Sequence, residues 1–464
     1  MSDRSAPSVS ERTLYTADWV LPISSAPIRD GAVLVQAGRI AYVGAASAVT
    51  VAPGAMRTVT LGNAVLMPGL VNAHSHLELT LLRGFLEGLD FRDWLRTLTT
   101  VRRDLMSESV LLDASRAGIR EALRNGITCL ADTTDSGAPL TAMREYGVRG
   151  MGYLEVFGPD PVQCDGAIAQ LTARVLAARA HETSLVRVGV SPHAPYTVSR
   201  ELFAATAALS RRESLPMAVH VAESPAETLF VRDGAGPFAD RLRARDIAVS
   251  AQAESPIALL EVTGVLAAQP LLIHVVQADD RDMARIADAG ASIVHCPISN
   301  AKLGHGIAPL DRMLAHGIRT GLGTDSVASN DRMDLLGEAR QATLFHSVRA
   351  GTPDALSAHA ALTLATRGGA DALGLGSRIG TLDVGKDADL VAFPLDHDDA
   401  QPLFDPAVAL VHALAGKVEA TLVTVEGREL VANGVLTQRD ETLPLRVGAW
   451  RDRLQQWRQA STAL

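Results

Sequence analysis

Between about residues 67 and 376, strand-like apolar runs alternate with amphipathic helical stretches, and this alternation constrains the fold more than any other feature. The runs are VLMPGLVNA, GITCLADT, VRGMGYLEV, LVRVGVSPH, LPMAVHVAE, PLLIHVV, ASIVHCP and IRTGLGTD, eight in all. Stretches such as SVLLDASRAGIREALRNG lie between many of them. Gly126, Gly147, Gly290 and Gly317 close helical stretches where a C-cap would feed the next strand. Eight βα units predict an α/β protein built on a (β/α)8 TIM barrel, with reactive residues at the carboxyl ends of the strands.

The two ends read differently. Residues 11–66 are short strands with turn signals (TLYTADWVLP, GAVLVQAGRIAYVG, TVTLGNAVL), and residues 377–445 repeat the pattern in GTLDVGKDADLVAFP and KVEATLVTVEGRELVANG. Barrel residues 67–376 would then be flanked by a small β-sandwich formed by the N- and C-terminal segments. Residues 446–464, with AWRDRLQQWRQA, read as an amphipathic helix, and the polar residues 1–10 as a disordered tail.

Composition narrows the partners. A net charge of −9 argues against nucleic acid. No apolar run approaches the ~20 residues of a membrane span, and the first residues lack the apolar core of a signal peptide. Cys129, Cys164 and Cys296 are far apart and odd in number, as expected of reduced thiols in the cytoplasm. A small-molecule substrate is the expected partner. Whether the chain forms a homo-oligomer stays open.

The polar residues at the strand ends form a constellation: His74 and His76, His193, His220 followed by Glu223, His274, His295 and Asp325. Any single histidine is more often a hydrogen-bonded core residue. So many of the 13 histidines at strand ends favour a site. His74 and His76, two apart on a strand, share one face. With His220 and Asp325 they supply three nitrogens and one anionic oxygen, a donor set suited to one Zn2+, or Fe2+, with a position left for water. Glu223, just past a ligand-bearing strand, is placed for general acid–base work. The bland alternative is a capping carboxylate before Pro225. The lysines are Lys302, Lys386 and Lys417, so no lysine on the fourth strand can bridge two metals. Glu155, on the third strand, is the remaining candidate bridge, or equally a substrate contact.

The segments PGLVNAHSHLELTLLRG, SPHAPYTVS, HVAES, HCPISN and LGTDSVASN, with GTLDVGKDADLV closing the barrel, resemble the amidohydrolase superfamily. The likeness is to its aminohydrolase branch of nucleoside and base deaminases and chlorohydrolases, and it runs from about residue 15 to 435. It implies a mononuclear metal on His74, His76, His220 and Asp325, and Glu223 as proton shuttle. It also implies that His274 polarises the attacking water or the substrate and that His193 contacts the substrate's ring or sugar. HSHLE, SPHAPYTVS and HVAESPAET are most similar to aminodeoxyfutalosine deaminases, then to S-adenosylhomocysteine and methylthioadenosine deaminases. The latter share TLLRGFLEGLDFRDWL, with Trp94 near the mouth. They carry a ribose-gripping glutamate after this segment, where Arg102 or Arg103 stands here. Arginine cannot accept from a hydroxyl but pairs with a carboxylate, so a benzoate-bearing nucleoside fits Arg102 or Arg103 better than a plain one. Arg83, Arg102 and Arg103 as plain surface charges are the alternative. His305, in LGHGIAP, either lines the pocket or sits in a loop.

The activity implied is hydrolytic deamination of a 6-aminopurine nucleoside. Dechlorination, or deamination of guanine, a pterin or another amino-heterocycle, is the second reading. An inert barrel serving as a binding scaffold is the third, disfavoured because every ligand and Glu223 are present.

Overall fold

The computed structural model describes residues 12–50 and 56–462. The tail expected to be disordered lies outside the described residues. The N-terminal segment forms β1 (Arg12–Val20), β2 (Ile28–Gln36), β3 (Arg39–Ala45), β4 (Arg57–Thr60) and β5 (Ala64–Pro68). The barrel strands follow: β6 (Leu70–Ser75), β7 (Ile127–Thr134), β8 (Arg149–Val156), β9 (Val186–Pro192), β10 (Ala218–Val221), β11 (Leu271–His274), β12 (Ser292–His295) and β13 (Arg319–Leu322). All eight runs become barrel strands. The chain then supplies β14 (Leu390–Pro394), β15 (Leu422–Val425), β16 (Arg428–Ala432) and β17 (Val435–Leu436).

The barrel consists of two four-stranded parallel ladders, β6–β7–β8–β9 and β10–β11–β12–β13. Parallel bridges between Val190 and Met217 and between Ser75 and Asp325 close the ring. β7 and β8 are buried at every position, because helices cover the outside and side chains fill the inside. Val71, Ala73, Ala131, Met151, Ile273 and Val294 share one interior cluster.

Both chain ends build a single nine-stranded sheet, ordered β17–β16–β15–β14–β5–β1–β2–β3 with β4 beside β1. The seam between the two contributions is the antiparallel β5–β14 pair, Met67 opposite Val391. Tyr15, Val33, Ile40, Leu66, Leu390 and Leu422, drawn from both termini, share one apolar cluster. Tyr15 Oη, on β1, donates to Glu429 Oε1 on β16 at 3.2 Å across the fold.

The run VLMPGLVNA is divided between modules: β5 belongs to the terminal sheet and β6 to the barrel. Gly69 makes the crossing, since a Cβ there would lie 2.1 Å from Thr128 Oγ1. At the same end Arg149, 1% exposed, ties β8 to the GKDADLV segment. Its Nε donates to Asp389 Oδ2 at 2.8 Å and its Nη2 to Asp387 Oδ2 at 3.0 Å. This buried knot fixes the sheet against the barrel floor, away from the catalytic end.

The terminal helix spans Leu443–Thr462, starting three residues before the expected boundary. Its Trp450 and Leu454 pack with Leu79, Leu82, Trp94 and Leu98 over the barrel mouth. Trp450 Nε1 donates to Leu81 O at 2.9 Å. No helix among the described residues is long and apolar enough to cross a membrane.

Candidate metal centre and active site

His74, His76, His220 and Asp325 meet at the carboxyl end of the barrel. His74 Nε2 and His76 Nε2 lie 3.3 and 3.5 Å from Asp325 Oδ1. His220 Nε2 lies 3.3 Å from His76 Nε2. Donors at ~2.0–2.1 Å from one ion stand roughly 3–3.5 Å apart in a four- or five-coordinate shell, so these three spacings fit a single ion with a position left for water. His74 Nε2 is buried without a hydrogen-bond partner among the described residues, which a metal bond would remedy.

The local backbone is built to hold this arrangement. The Asp325 amide donates to His74 O at 3.0 Å, joining the last strand end to the first. Gly323 permits the approach, because a Cβ there would sit 2.9 Å from His74 N. Asp325 and His274 have positive φ, 56° and 75°. Non-glycine residues in that region carry strain that the surrounding structure must hold in place, a condition that clusters at functional sites.

Other contacts orient the donors. His220 Nδ1–H donates to His193 O at 3.1 Å, turning Nε2 toward the centre. Thr133 Oγ1 is 3.1 Å from His76 Nδ1. Asp325 Oδ2 accepts from Ser299 Oγ at 2.5 Å and from Ser329 Oγ at 3.3 Å, leaving Oδ1 to the histidines.

Protonation matches ligation. Burial depresses all three imidazoles, His76 to about 3, so they are neutral and carry free lone pairs. Burial opposes ionisation of Asp325, but His74, His274 and His76 outweigh it and hold the carboxyl well below its usual range.

Glu223 sits beside this group. Its Oε1 is 3.6 Å from His274 Nε2 and 3.3 Å from His305 Nε2. Burial raises its pKa, yet the two histidines prevail and it stays below the ordinary carboxylate value. His274 Nδ1–H donates to Asn300 Oδ1 at 2.9 Å. His305 lies in the loop between the helices Pro297–Lys302 and Leu310–Ala315, buried and edge-on to Phe91 at 4.6 Å between ring centres; it stands beside Glu223 and, contrary to expectation, does not line the cavity.

Glu227 fixes the segment bearing Glu223. Its carboxylate accepts from the amides of Ala222 (2.7 Å) and Glu223 (3.0 Å). The Ser-Pro-Ala-Glu text around it carries the spacing of a capping box, a signal that could have flagged this grip.

A cavity of about 670 Å³ opens over the centre, walled by His76, Leu98, Arg102, Glu155, His193 and Tyr196 among others. Tyr196 stacks on Phe238 at 4.0 Å, and Phe157 packs against His193 at 4.9 Å. Burial lowers His193 to about 4 and raises Glu155 to about 8.

Glu155, His193 and His220 present ligand atoms within 4.8 Å of one another, which raises the question of a second ion. His220 cannot serve both, since Nε2 faces His76 and Nδ1 is bonded to His193 O. His193 Nδ1 is also committed, to Thr197 Oγ1 at 2.7 Å. Two donors remain, too few for a closed site.

Two expected substrate contacts are corrected. Arg103 is 74% exposed and pairs with its neighbour Asp104, while Arg102 lines the cavity. One step along a helix turns a side chain by about 100°, which separates the two. Trp94 does not line the cavity; it is buried, with Nε1 3.4 Å from Ala328 O and its ring stacked near Phe91. Arg83 pairs with Glu121 away from the cavity.

Arg102 is itself occupied. Its Nη2 donates to Glu78 Oε2 at 2.7 Å and lies 3.4 Å from Asp135. Glu78 is 3% exposed and also accepts from Thr134 Oγ1 at 2.6 Å and from the Ser136 amide at 3.0 Å. Sequence reading gave Glu78 no role, although it lies within HSHLE.

The amidohydrolase family model matches residues 65–430, most of the chain. The chain belongs to the amidohydrolase family. This hydrolase is 34% identical over 416 residues to the 5-methylthioadenosine/S-adenosylhomocysteine deaminase of Nitratidesulfovibrio vulgaris strain Hildenborough, covering 89% of this chain and 90% of the relative. Among solved structures, an adenosine deaminase from Xanthomonas campestris with bound zinc aligns with a TM-score of 0.85 and 31% identity, over 96% of this chain and 98% of that one. The zinc complex of atrazine chlorohydrolase from Arthrobacter aurescens TC1 aligns with a TM-score of 0.82 and 26% identity, over 94% and 99%. The eight-stranded barrel, its parallel ladders and the strand-end histidines are those of an amidohydrolase.

Proposed function

We propose that the protein deaminates a 6-aminopurine nucleoside hydrolytically, using one zinc ion per chain. The observation that carries this reading is Glu223, held between His274 and His305 beside four converging metal donors, beneath a cavity of about 670 Å³. The relatives named as adenine-nucleoside deaminases support the substrate class.

Bound at His74, His76, His220 and Asp325, the ion would supply Lewis acidity and a water activated near neutral pH. Glu223, ionised, is placed to accept a proton from the attacking water and to deliver it to the ring nitrogen next to C6. His274, fixed through Nδ1 on Asn300, holds Nε2 beside Glu223 and with Asp325 orients the nucleophile at C6. Transfer of the remaining hydroxyl proton through Glu223 to the amino group breaks the C6–N bond of the adduct, releasing ammonia and leaving a 6-oxopurine.

The substrate's far end is acidic in this reading. Arg241 and Arg245 stand on the cavity wall and make no ion pair among the described residues, whereas Arg102 is neutralised by Glu78. A carboxylate at the end of a 5′ extension, as in aminodeoxyfutalosine or S-adenosylhomocysteine, would reach them.

The test is ammonia release from adenosine, methylthioadenosine, S-adenosylhomocysteine, aminodeoxyfutalosine, guanine and a pterin, with chloride release from atrazine run in parallel. Ammonia from the adenine nucleosides, highest with the acidic ones, is the expected result. Chloride release without deamination would replace this reading with the chlorohydrolase one.

A further inference from the structure

Every carboxylate at the catalytic end has a partner except one. Asp325 and Glu223 are engaged by histidines and serines, Glu78 by Arg102, Thr134 and Ser136, and Glu227 by backbone amides. Glu155, 3% exposed at the end of β8, leaves Oε1 buried with no hydrogen-bond partner among the described residues. Burying such an acceptor without a donor costs ~1–3 kcal/mol, more when it is charged. Glu155 is also the sole acid among the described residues lining the cavity. Its oxygen stands within 4.8 Å of nitrogens of His193 and His220, on the flank of the metal donors. A ligand in the cavity can supply a donor to it.

We infer that Glu155 is a subsite for the vicinal hydroxyls of the substrate's sugar, and so sets preference for a ribonucleoside over a deoxygenated one. This rests on the nucleoside-deaminase reading and adds a specific contact to it. A purine nucleoside carries few donors. The 6-amino group has to lie over the metal donors for C6 to be attacked, and the ring nitrogens N1, N3 and N7 carry no hydrogen. Only the sugar hydroxyls remain to reach a second acceptor on the cavity wall. A carboxyl group, with two oxygens, can engage both members of a cis diol, accepting from one and, when protonated, donating to the other. His193 beside it has its Nδ1 committed to Thr197, so its other nitrogen can share the same sugar without competing for Glu155.

The test compares adenosine with 2′,3′-dideoxyadenosine on zinc-loaded wild type, Glu155→Ala and Glu155→Gln, with metal content measured for each. Wild type should favour adenosine in kcat/KM by ~10–100-fold, the worth of two hydrogen bonds to a buried group. Glu155→Ala should bring that ratio below about threefold, and Glu155→Gln should fall between, since an amide keeps one acceptor. A ratio unchanged in both variants overturns the inference and leaves the deaminase reading standing. Failure of wild type to deaminate either of these nucleosides or the acidic ones overturns both. Two ions per wild-type chain, falling to one in the variants, would make Glu155 a metal ligand and also overturn it. Should Glu155→Ala fail to fold, the Glu155→Gln ratio decides.

Discussion

Glu78 and Arg102 form a 2.7 Å ion pair that fastens the helix over the barrel mouth to the turn following His76. The helix Phe91–Leu105 supplies Leu95, Leu98, Thr99 and Arg102 to the cavity wall, so one carboxylate couples the metal strand to the substrate enclosure. Glu78→Ala would strand Arg102, Thr134 and Ser136 together, and should cost ~3 kcal/mol, read as a lowered thermal midpoint. Arg103→Ala, on the outer face of the same helix, should leave both midpoint and activity at wild-type values. Equal losses from the two would refute this assignment of the helix faces.

Glu223→Gln preserves size and leaves the four metal donors untouched. Turnover should fall by ~10²–10⁴-fold, the usual worth of a positioned acid–base group. Elemental analysis should still find about one ion per chain. Retained turnover, or loss of the ion along with activity, would each contradict the role given to Glu223.

His295 offers a clean pH test. Burial, aided by His274 and His346, lowers it from 6.5 to about 3. Between those values the unfolded chain binds a proton that the folded chain does not, so stability falls as pH drops below 6.5, by up to ~1.4 kcal/mol per unit. A glutamine at this position cannot take up that proton. The gap in thermal midpoint between wild type and His295→Gln should therefore shift against wild type between pH 7 and pH 5. Comparing the two proteins cancels the other buried acids, whose raised values act in the opposite direction. A gap that does not change with pH would mean His295 titrates alike in both states.

Trp450 ties the terminal helix to the mouth, its ring 4% exposed among Leu82, Trp94 and Leu98. Trp450→Ala should cost ~3–5 kcal/mol. Because the same cluster backs the cavity-lining helix, KM should rise more than kcat falls. Steady-state kinetics on the best nucleoside separates the two, and an unchanged KM would show that the helix holds its position without this ring.

The strand ends were legible because alternation places His74 and His76 on one face and the barrel topology gathers the ends of distant runs. Arg102 and Arg103 were not separable, since adjacent helical residues point in different directions and only the register of the helix Phe91–Leu105 decides which looks inward. Glu78 was in plain view, but its partners Thr134 and Ser136 come from the end of β7 and the loop after it, a pairing that no local pattern encodes. Ser299 and Asn300 likewise lay within HCPISN, quoted only for likeness, yet they hold Asp325 and His274. The run that split at Gly69 read as one strand because both halves are fully buried.

That split has a consequence for biosynthesis. β5, buried along its whole length in the finished protein, is translated before the barrel, and its partner β14 only after it. At ~5–20 residues per second the nascent chain carries this unsatisfied apolar edge for on the order of half a minute. Open edges of this kind recruit other chains. The N-terminal half released alone would therefore aggregate, and shielding of that one strand is what the ribosome-bound polypeptide most needs from a chaperone.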